Sequence, residues 1–231
     1  MAVKSLITFA LTITLSFPGL SQVFLKDVKS DLLKEAKVEE YIQNQIENNT
    51  LSFEDIEPSL EPSSEVTGFR RNNKKYRIKH DLEQVWLNYV NTPQREAWSC
   101  NRISYSLLFS KNSKKLFYAN QKAEKLDSGQ VIYLNLKFLN GLYKLPVAFE
   151  ITSVDPENKL IEFSYIKGNM SEGKQQIHFF ETKNGFTRIE HNSYYRSKSL
   201  LRDLFLYPYF HARITNDFHR NMKEKIMAKV N

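Results

Sequence analysis

The side chains with the clearest capacity for chemistry are two histidines in the C-terminal half of the chain. His191 lies in an alternating stretch, Phe186 to Arg196, on the face predicted to point inward. His211 lies on the apolar stripe of a helical stretch near the C-terminus. Because an imidazole titrates near neutral pH, the two rings could form an acid/base pair across a pocket, with Tyr165 as another candidate partner of His191. The alternative is that His191 is a core residue hydrogen-bonded to a neighbouring tyrosine, and no catalytic residue is assigned.

The other chemical signatures argue against a metal or cofactor site. Cys100 is the only cysteine, so no disulfide within the chain and no paired-cysteine motif can form, and we expect a buried, inert thiol. His211 and His219 are eight residues apart, too far for two ligands of one ion on a helix face. The sequence contains no HExxH motif, glycine-rich phosphate loop or GxSxG motif. We therefore predict no metal and no cofactor.

Consecutive strands must position these side chains. Apolar residues alternate in five stretches between Gly129 and Arg196, as in strands with one buried face. Short turns such as Asn140-Gly141 separate them, so an antiparallel meander is expected. Pro146 favours an edge position or a bulge in the second stretch, because proline cannot donate to a ladder. The five stretches are Gln130 to Phe138, Tyr143 to Ser153, Leu160 to Lys167, Gly173 to Thr182 and Phe186 to Arg196.

Helices are predicted before and after this meander in the sequence. A strand over Lys74 to Lys79 precedes a short helix capped by Asp81, and a second short helix starts at Pro93. The C-terminal stretch, Ser199 to Val230, has apolar residues every three or four positions and is interrupted by Pro208. It is therefore either a kinked helix or a short helix followed by a long one. Its stripe consists of Leu200, Leu204, Tyr207, His211, Ile214, Phe218, Met222 and Ile226.

The inward faces of the strands and the C-terminal helix predict the wall of a small-molecule pocket. Apolar walls with a few polar tips are typical of such sites. The alternative is that these aromatic side chains simply fill the core. The candidate ligand-binding residues are Phe163, Tyr165, Phe179, His191, Tyr195, Tyr207, His211 and Phe218, with Ser193 beside them.

The order of elements and the turn motifs resemble those of the START/SRPBCC superfamily, the polyketide cyclase and Bet v 1-like class. The motifs are Val154-Asp155-Pro156, Lys159-Leu160-Ile161 before Gly173, and Asn184-Gly185-Phe186-Thr187. The resemblance is distant and covers roughly Tyr76 to Lys229. It implies an α+β helix-grip fold, a curved antiparallel sheet wrapped around a long C-terminal helix with two short helices after the first strand. It also implies a cavity for a hydrophobic molecule or lipid, but no catalytic set.

The N-terminal part divides into two further segments. Residues 1–21 have a lysine, an apolar run and small residues before Gln22, which predicts a cleaved signal peptide and a secreted or periplasmic protein. The alternative is an uncleaved membrane anchor. Residues 22–68 form an acidic arm with a helix over Ser30 to Ile46 and a linker over Asn48 to Gly68. The arm has a net charge of −7 between Val23 and Gly68, whereas Phe69 to Asn231 has a net charge of +13. It either packs on the basic domain, residues 69–231, as a lid or strut, or is a solvated spacer.

Three functions are compatible with these observations. The leading hypothesis is an exported protein that binds a hydrophobic or amphipathic small molecule or lipid between sheet and helix. The second is a cavity enzyme of cyclase, dehydratase or hydrolase type that uses His191 with Tyr165 or His211. The third is a basic module for an anionic surface or partner, formed by the run Arg70 to Lys79 with Lys111, Lys114 and Lys115. The partner could be an anionic lipid, a polysaccharide or the acidic arm of the chain itself, and the alternative is simply a solvated face. No nucleic-acid motif is present, and the oligomeric state is left open.

Overall fold

The structure is a computed structural model of the 231-residue chain, and it describes residues 22–121, 125–197, 199, 204 and 207–229. The predicted signal peptide, residues 1–21, lies outside them. The α-helices are α1 (Ala36–Glu47), α2 (Leu82–Asn91), α3 (Gln94–Ala97) and α4 (Tyr207–Ala228). Short 3-10 helices span Leu25–Asp27, Ser30–Leu32 and Leu139–Gly141. The strands are β1 (Arg70–Ile78), β2 (Ile103–Ser110), β3 (Lys115–Tyr118), β4 (Gln130–Phe138), β5 (Tyr143–Asp155), β6 (Leu160–Tyr165), β7 (Ser171–Glu181) and β8 (Thr187–Ser197).

Within the described residues the strands form one antiparallel sheet in the order β1-β8-β7-β6-β5-β4-β2-β3. The helices α2 and α3 follow β1, and the long helix α4 packs on the same face of the curved sheet. The α+β helix-grip architecture predicted from the sequence is therefore confirmed. We call the face against α4 the inner face and the opposite face the outer face.

The two ends of α4 have different surroundings. Its C-terminal half buries Met222 and Ile226 completely against the inner face, α2 and α3. Pro208 is the second residue of the range over which α4 is described, and Leu204 before it is in π-helical conformation. The part of the predicted C-terminal helix that precedes Tyr207 lies almost entirely outside the described residues.

Two local predictions from the sequence are confirmed by the geometry. The Asp81 carboxylate accepts a hydrogen bond of 2.9 Å from the Gln84 backbone N–H and thereby caps α2. Pro146 pairs with Asn135 of β4, but the ladder to β6 begins only at Phe149. Pro146 therefore lies where one side of β5 has no neighbouring ladder that would require its missing N–H.

The acidic arm packs against the outer face, so the solvated-spacer alternative is wrong. Val38 and Ile42 of α1 and Phe53 are buried in a cluster with strand residues such as Leu107 and Tyr133. The range Asn48 to Gly68 contains no helix and no multi-residue strand in the described chain, as the linker prediction stated, yet Phe53 is fully buried. The arm is thus an integral layer of the fold.

Polar contacts also attach the arm to the sheet. The Tyr118 hydroxyl accepts from the Lys29 backbone N–H at 2.9 Å, and the Tyr133 hydroxyl donates to Gln45 at 2.9 Å.

The predicted helix over Ser30 to Ile46 is wrong at its start, because α1 begins at Ala36. Glu35 before it is extended, and its carboxylate accepts from Asn135 on β4 at 2.7 Å.

None of the described helices is both long enough and apolar enough to cross a membrane.

Candidate functional site: a cavity between the sheet and α4

A cavity of about 410 Å³ lies between the inner face and the N-terminal half of α4. Its body is formed by aromatic and aliphatic side chains of β4, β5, β6 and α4. Among the residues that the structure describes, no Asp, Glu, Lys or Arg lines it. The lining residues are Tyr41, Trp98, Leu134, Leu136, Phe138, Tyr143, Leu145, Pro146, Val147, Phe149, Phe163, Tyr165, Gly168, Asn169, Met170, Ser171, Gln175, His191, Tyr207, Phe210, His211, Ile214, Thr215 and Phe218.

The structure brings six of the eight candidate residues together at this cavity and places two behind its wall. Phe179 is buried, but its ring packs edge-on against Trp86 and Tyr89, away from the lining. Tyr195 is also buried, and its ring stacks on that of Tyr207 at a centroid distance of 3.7 Å. The residues at the cavity are Phe163, Tyr165, His191, Tyr207, His211 and Phe218.

Five polar side chains of the cavity gather in one region, which we call the polar corner: Tyr165, Gln175, His191, Tyr207 and His211. The other polar lining residues are Tyr41, Tyr143, Asn169, Ser171 and Thr215. Gln175 Oε1 lies 2.7 Å from His191 Nε2 and 2.9 Å from His211 Nε2. Gln175 Nε2 donates to the Tyr165 hydroxyl at 3.2 Å, and this hydroxyl is 2.6 Å from the Tyr207 hydroxyl. The corner is therefore one connected hydrogen-bond network.

The network extends behind the cavity wall to α2. His191 Nδ1 lies 2.9 Å from His219 Nε2, and His219 Nδ1 lies 2.9 Å from the Tyr89 hydroxyl. Ser193 Oγ is 3.3 Å from both Gln175 Oε1 and His211 Nε2. The expected tyrosine partner of His191 is thus replaced by a histidine and a glutamine.

Burial keeps the three histidines of this network uncharged at neutral pH. It lowers the pKa of His211 and of His219 to about 3, and it lowers the pKa of His191 well below its ordinary value, with the neighbouring His219 and His211 adding to the effect. Burial also raises the pKa of Tyr165 to about 12. The polar corner can therefore offer neutral hydrogen-bond donors and acceptors, but little charge.

Sequence reasoning missed two central members of the network. Gln175 belongs to the same alternation as Ile177 and Phe179, so its inward direction was readable from the pattern. His219 was considered only as a metal ligand, although it lies two helical turns after His211 on nearly the same face. Both side chains are polar, and the aromatic residues around them give the stronger sequence signal for an inward face.

Two further predictions concern metals and Cys100. The described part of the chain has no group of three or more His, Cys, Asp or Glu side chains that could hold a metal ion. Burial raises the pKa of the Cys100 thiol to about 11, and the nearby Asp217 carboxylate contributes. The thiol is therefore protonated at neutral pH and a poor nucleophile.

The predicted basic surface is smaller than expected. Lys111 Nζ contacts the Glu150 carboxylate at 2.8 Å, and Lys114 Nζ contacts Glu54 of the arm at 3.1 Å. These two lysines are neutralised by ion pairs and do not extend the basic run of β1.

No protein-family model matches the chain, and no curated protein matches it significantly. Similar solved structures include a START superfamily protein from Mycobacterium smegmatis (9% identity, TM-score 0.48, covering 70% of this chain and 99% of that chain). They also include ginseng major latex-like protein 151 from Panax ginseng (13% identity, TM-score 0.48, 68% and 97%) and a norcoclaurine synthase point mutant from Thalictrum flavum (12% identity, TM-score 0.46, 71% and 97%). These likenesses stand at 9 to 13% identity and at TM-scores below 0.5, so they carry no statement about the family or the ligand of this chain. The ligand must be inferred from this chain's own residues.

Proposed function

We propose that this chain binds an apolar or amphipathic small molecule, with lipids among the candidates, between the inner face and α4. The observation that supports this proposal is the cavity of about 410 Å³, because protein interiors are normally close-packed and leave few voids larger than a water molecule. Its size and its apolar lining with a few convergent polar groups are those of small-molecule sites.

Native mass spectrometry of the protein purified from the cells that make it tests this function directly. We expect a co-purifying small molecule that is lost on denaturation. Binding of a fluorescent apolar probe should fall strongly in Leu136→Trp, which fills the cavity, and persist in the control Leu51→Trp, whose site is 56% exposed on the arm. Equal probe binding by both variants would count against the cavity as the site.

We propose further that the protein is exported. The lysine, apolar run and small residues of residues 1–21 support this, since they have the layout of a cleavable signal. N-terminal sequencing of the mature protein should begin at Gln22. A mature chain that retains Met1 would contradict cleavage.

A cavity enzyme is the second candidate function. It is supported by His191 and His211 on one cavity wall, with ring centroids 6.0 Å apart and Tyr165 in the same network. Both nitrogens of His191 already have protein partners, so His211 is the better candidate for contact with a substrate. Incubating the co-purified molecule with the protein should then change its mass, and an unchanged ligand after prolonged incubation favours binding alone.

An anionic partner is the third candidate. The outer face at β1 and β8 exposes Arg71, Lys75, Arg77 and Arg188, and the three arginine guanidinium groups lie over aromatic rings. Lys75 and Arg188 share the Glu190 carboxylate at 3.4 and 3.3 Å, so Arg71 and Arg77 are the main support for this function. Such cations bind anionic surfaces in a salt-dependent way. Co-sedimentation with phosphatidylglycerol vesicles should weaken at high salt and in the double variant Arg71→Gln/Arg77→Gln. Binding that salt leaves unchanged would rule out this electrostatic function.

A further inference from the structure

The cavity reaches the acidic arm along one edge of β5. Residues Tyr143 to Val147 pair with β4 on one side, but the ladder to β6 on the other side begins only at Phe149. Pro146 lies between two residues whose side chains belong to the inner face, so the alternation of the strand assigns Pro146 to the outer face. It nevertheless lines the cavity, as does Tyr41 of α1 in the arm. The cavity therefore extends past this edge of β5 towards the arm.

The β6–β7 turn, residues 166–170, lies on the other side of this edge. We call the space between the turn and residues 143–147 of β5 the side gap. The turn contributes Gly168, Asn169 and Met170 to the cavity lining, and Met170 is 62% exposed. A lining residue that is also exposed marks a place where the cavity lies close to solvent. The side gap is therefore a short route between solvent and the cavity.

Two hydrogen bonds cross the side gap and connect α1, the turn and β5. Asn169 Nδ2 donates to the Ala148 carbonyl at 2.7 Å, which requires the amide nitrogen on that side because a carbonyl oxygen only accepts. Asn169 Oδ1 is then turned towards the arm, where it accepts from the Tyr41 hydroxyl. The half-buried Tyr41 ring also packs edge-on against Tyr133, with the ring centroids 6.1 Å apart. The arm thus closes the gap with a single side chain.

The backbone of the turn is held more firmly than this side chain. The Lys167 N–H donates to the Glu57 carbonyl at 2.9 Å, and the Ser59 N–H donates to the Tyr165 carbonyl at 2.6 Å. Moving the turn would break these backbone bonds and separate the arm from the end of β6, whereas rotating the Tyr41 side chain breaks one hydrogen bond. Side-chain rotations are also faster than loop movements. Tyr41 is therefore the element that opens the gap at the lowest cost.

We propose that the ligand enters and leaves the cavity through the side gap and that Tyr41, bonded to Asn169, is the gate. This inference depends on the proposed binding function and adds the way in which the acidic arm regulates access to that site. The gate bond forms whether the cavity is empty or filled, so its loss lowers the barrier to passage in both directions. The rate constants of binding and release then rise together, and the affinity stays the same.

Stopped-flow fluorescence with N-phenyl-1-naphthylamine, an uncharged apolar fluorophore, tests the gate on the purified chain. Tyr41→Phe keeps the ring but removes the hydroxyl proton. We expect the association and dissociation rate constants both to rise about three- to tenfold, the factor that corresponds to one lost hydrogen bond, with an unchanged dissociation constant. Unchanged rate constants would overturn the gate and leave the proposed function intact, since the ligand would then enter elsewhere, such as beside Tyr143.

A second variant removes the other partner of the gate bond. Asn169→Ala also loses the bond to Ala148, so both rate constants should rise at least as much as in Tyr41→Phe. Because the two residues act through one bond, the double variant Tyr41→Phe/Asn169→Ala should be no faster than Asn169→Ala. Effects that multiply in the double variant would show that the residues act independently and would overturn the gate.

Tyr118→Phe is the matched control. It removes another tyrosine hydroxyl that contacts the arm, through the Lys29 N–H, at a residue outside the described cavity lining. Its rate constants should equal those of the wild type, and equal acceleration in both variants would overturn the gate in favour of a general loosening of the arm. A rise of the dissociation rate constant alone in Tyr41→Phe would overturn it as well, since Tyr41 would then be a ligand contact. If the wild-type chain does not bind the fluorophore, the proposed function fails, and the inference with it.

Discussion

The two faces of the sheet are built from the same strands, yet the outer face is closely packed whereas the inner face encloses a cavity. On the outer face the arm follows the sheet, and Phe53 stacks on Phe109 at 4.9 Å with both side chains fully buried. On the inner face α4 is a rod of 22 residues, about 33 Å long. A straight helix cannot follow a curved sheet along its whole length. Helix α4 therefore packs tightly at Met222 and Ile226 and leaves a gap beside Ile214.

The comparison teaches that the cavity comes from a mismatch of shapes and not from a shortage of apolar residues. An irregular segment such as the arm can adapt its backbone to the sheet. A straight helix adapts only through side-chain length. The inner face is therefore the place where a ligand can complete the packing.

The largest expected effect tests this comparison with a matched pair of leucines. Leu107 on β2 points to the outer face and Leu134 on β4 points to the cavity, and they are 0% and 2% exposed. Leu107→Ala creates a new void and should cost about 3–5 kcal/mol in the free energy of unfolding, whereas Leu134→Ala only enlarges an existing cavity and should cost about 2–3 kcal/mol. Urea denaturation measures both, and a larger cost at Leu134 would contradict the assignment of a closely packed outer face.

A second pair compares the two faces of one strand. Gln175→Leu removes the acceptor of His191 and His211 and the donor to Tyr165, so we expect a loss of about 2–4 kcal/mol from buried groups left unpaired. Gln176→Leu makes the same change one residue later, on the outer face, where the amide donates to Glu162. Because Glu162 is 6% exposed and its carboxylate loses a donor, Gln176→Leu should cost about 1–2 kcal/mol, less than Gln175→Leu. Similar losses in both variants would show that the polar corner contributes no more to stability than this single hydrogen bond.

The polar corner and His219 also predict a larger acid sensitivity than the outer face, where burial lowers the pKa of one described histidine, His178. His191, His211 and His219 have lowered pKa values when folded, so the unfolded chain binds protons first as the pH falls below about 6.5. Their stabilising contribution is therefore present above that pH and is lost progressively towards pH 3. Between pH 7.5 and 6 the three should together remove about 2 kcal/mol.

Denaturation at each pH and imidazole ¹⁵N NMR spectra check this prediction together. The three rings should keep the Nε2–H tautomer down to pH 5 in the folded protein. Titration of any of the three with a midpoint near 6.5 would show that its ring is solvated or charged.

The part of the structure that the sequence predicts differs between the two faces, because regular elements have a fixed period and the arm has none. The inner face followed from alternation in β4 to β8 and from the stripe of α4, since both patterns have a fixed period. The outer layer did not, because an irregular segment such as Asn48 to Gly68 has no period, and the burial of Phe53 depends on tertiary contacts. Four of the five residues of the polar corner were predicted, but Gln175 and its neighbour in the network, His219, were not, because their roles depend on how β7 and α4 pack together.

The smallest expected effect concerns the end of the network that faces the ligand. Tyr165→Phe removes a hydroxyl that bonds Gln175 and Tyr207 but leaves the ring on the cavity wall, so we expect a loss of about 0.5–1.5 kcal/mol in the free energy of unfolding. The outer-face counterpart is Tyr133→Phe, which removes the hydroxyl bond to Gln45 of the arm. Both should destabilise by similar amounts, but only Tyr165→Phe should alter binding of an apolar probe. The arm reaches the cavity through Tyr41, whose ring packs edge-on against that of Tyr133. Altered probe binding in Tyr133→Phe as well would therefore show that the arm helps to shape the cavity and that the two faces are not independent layers.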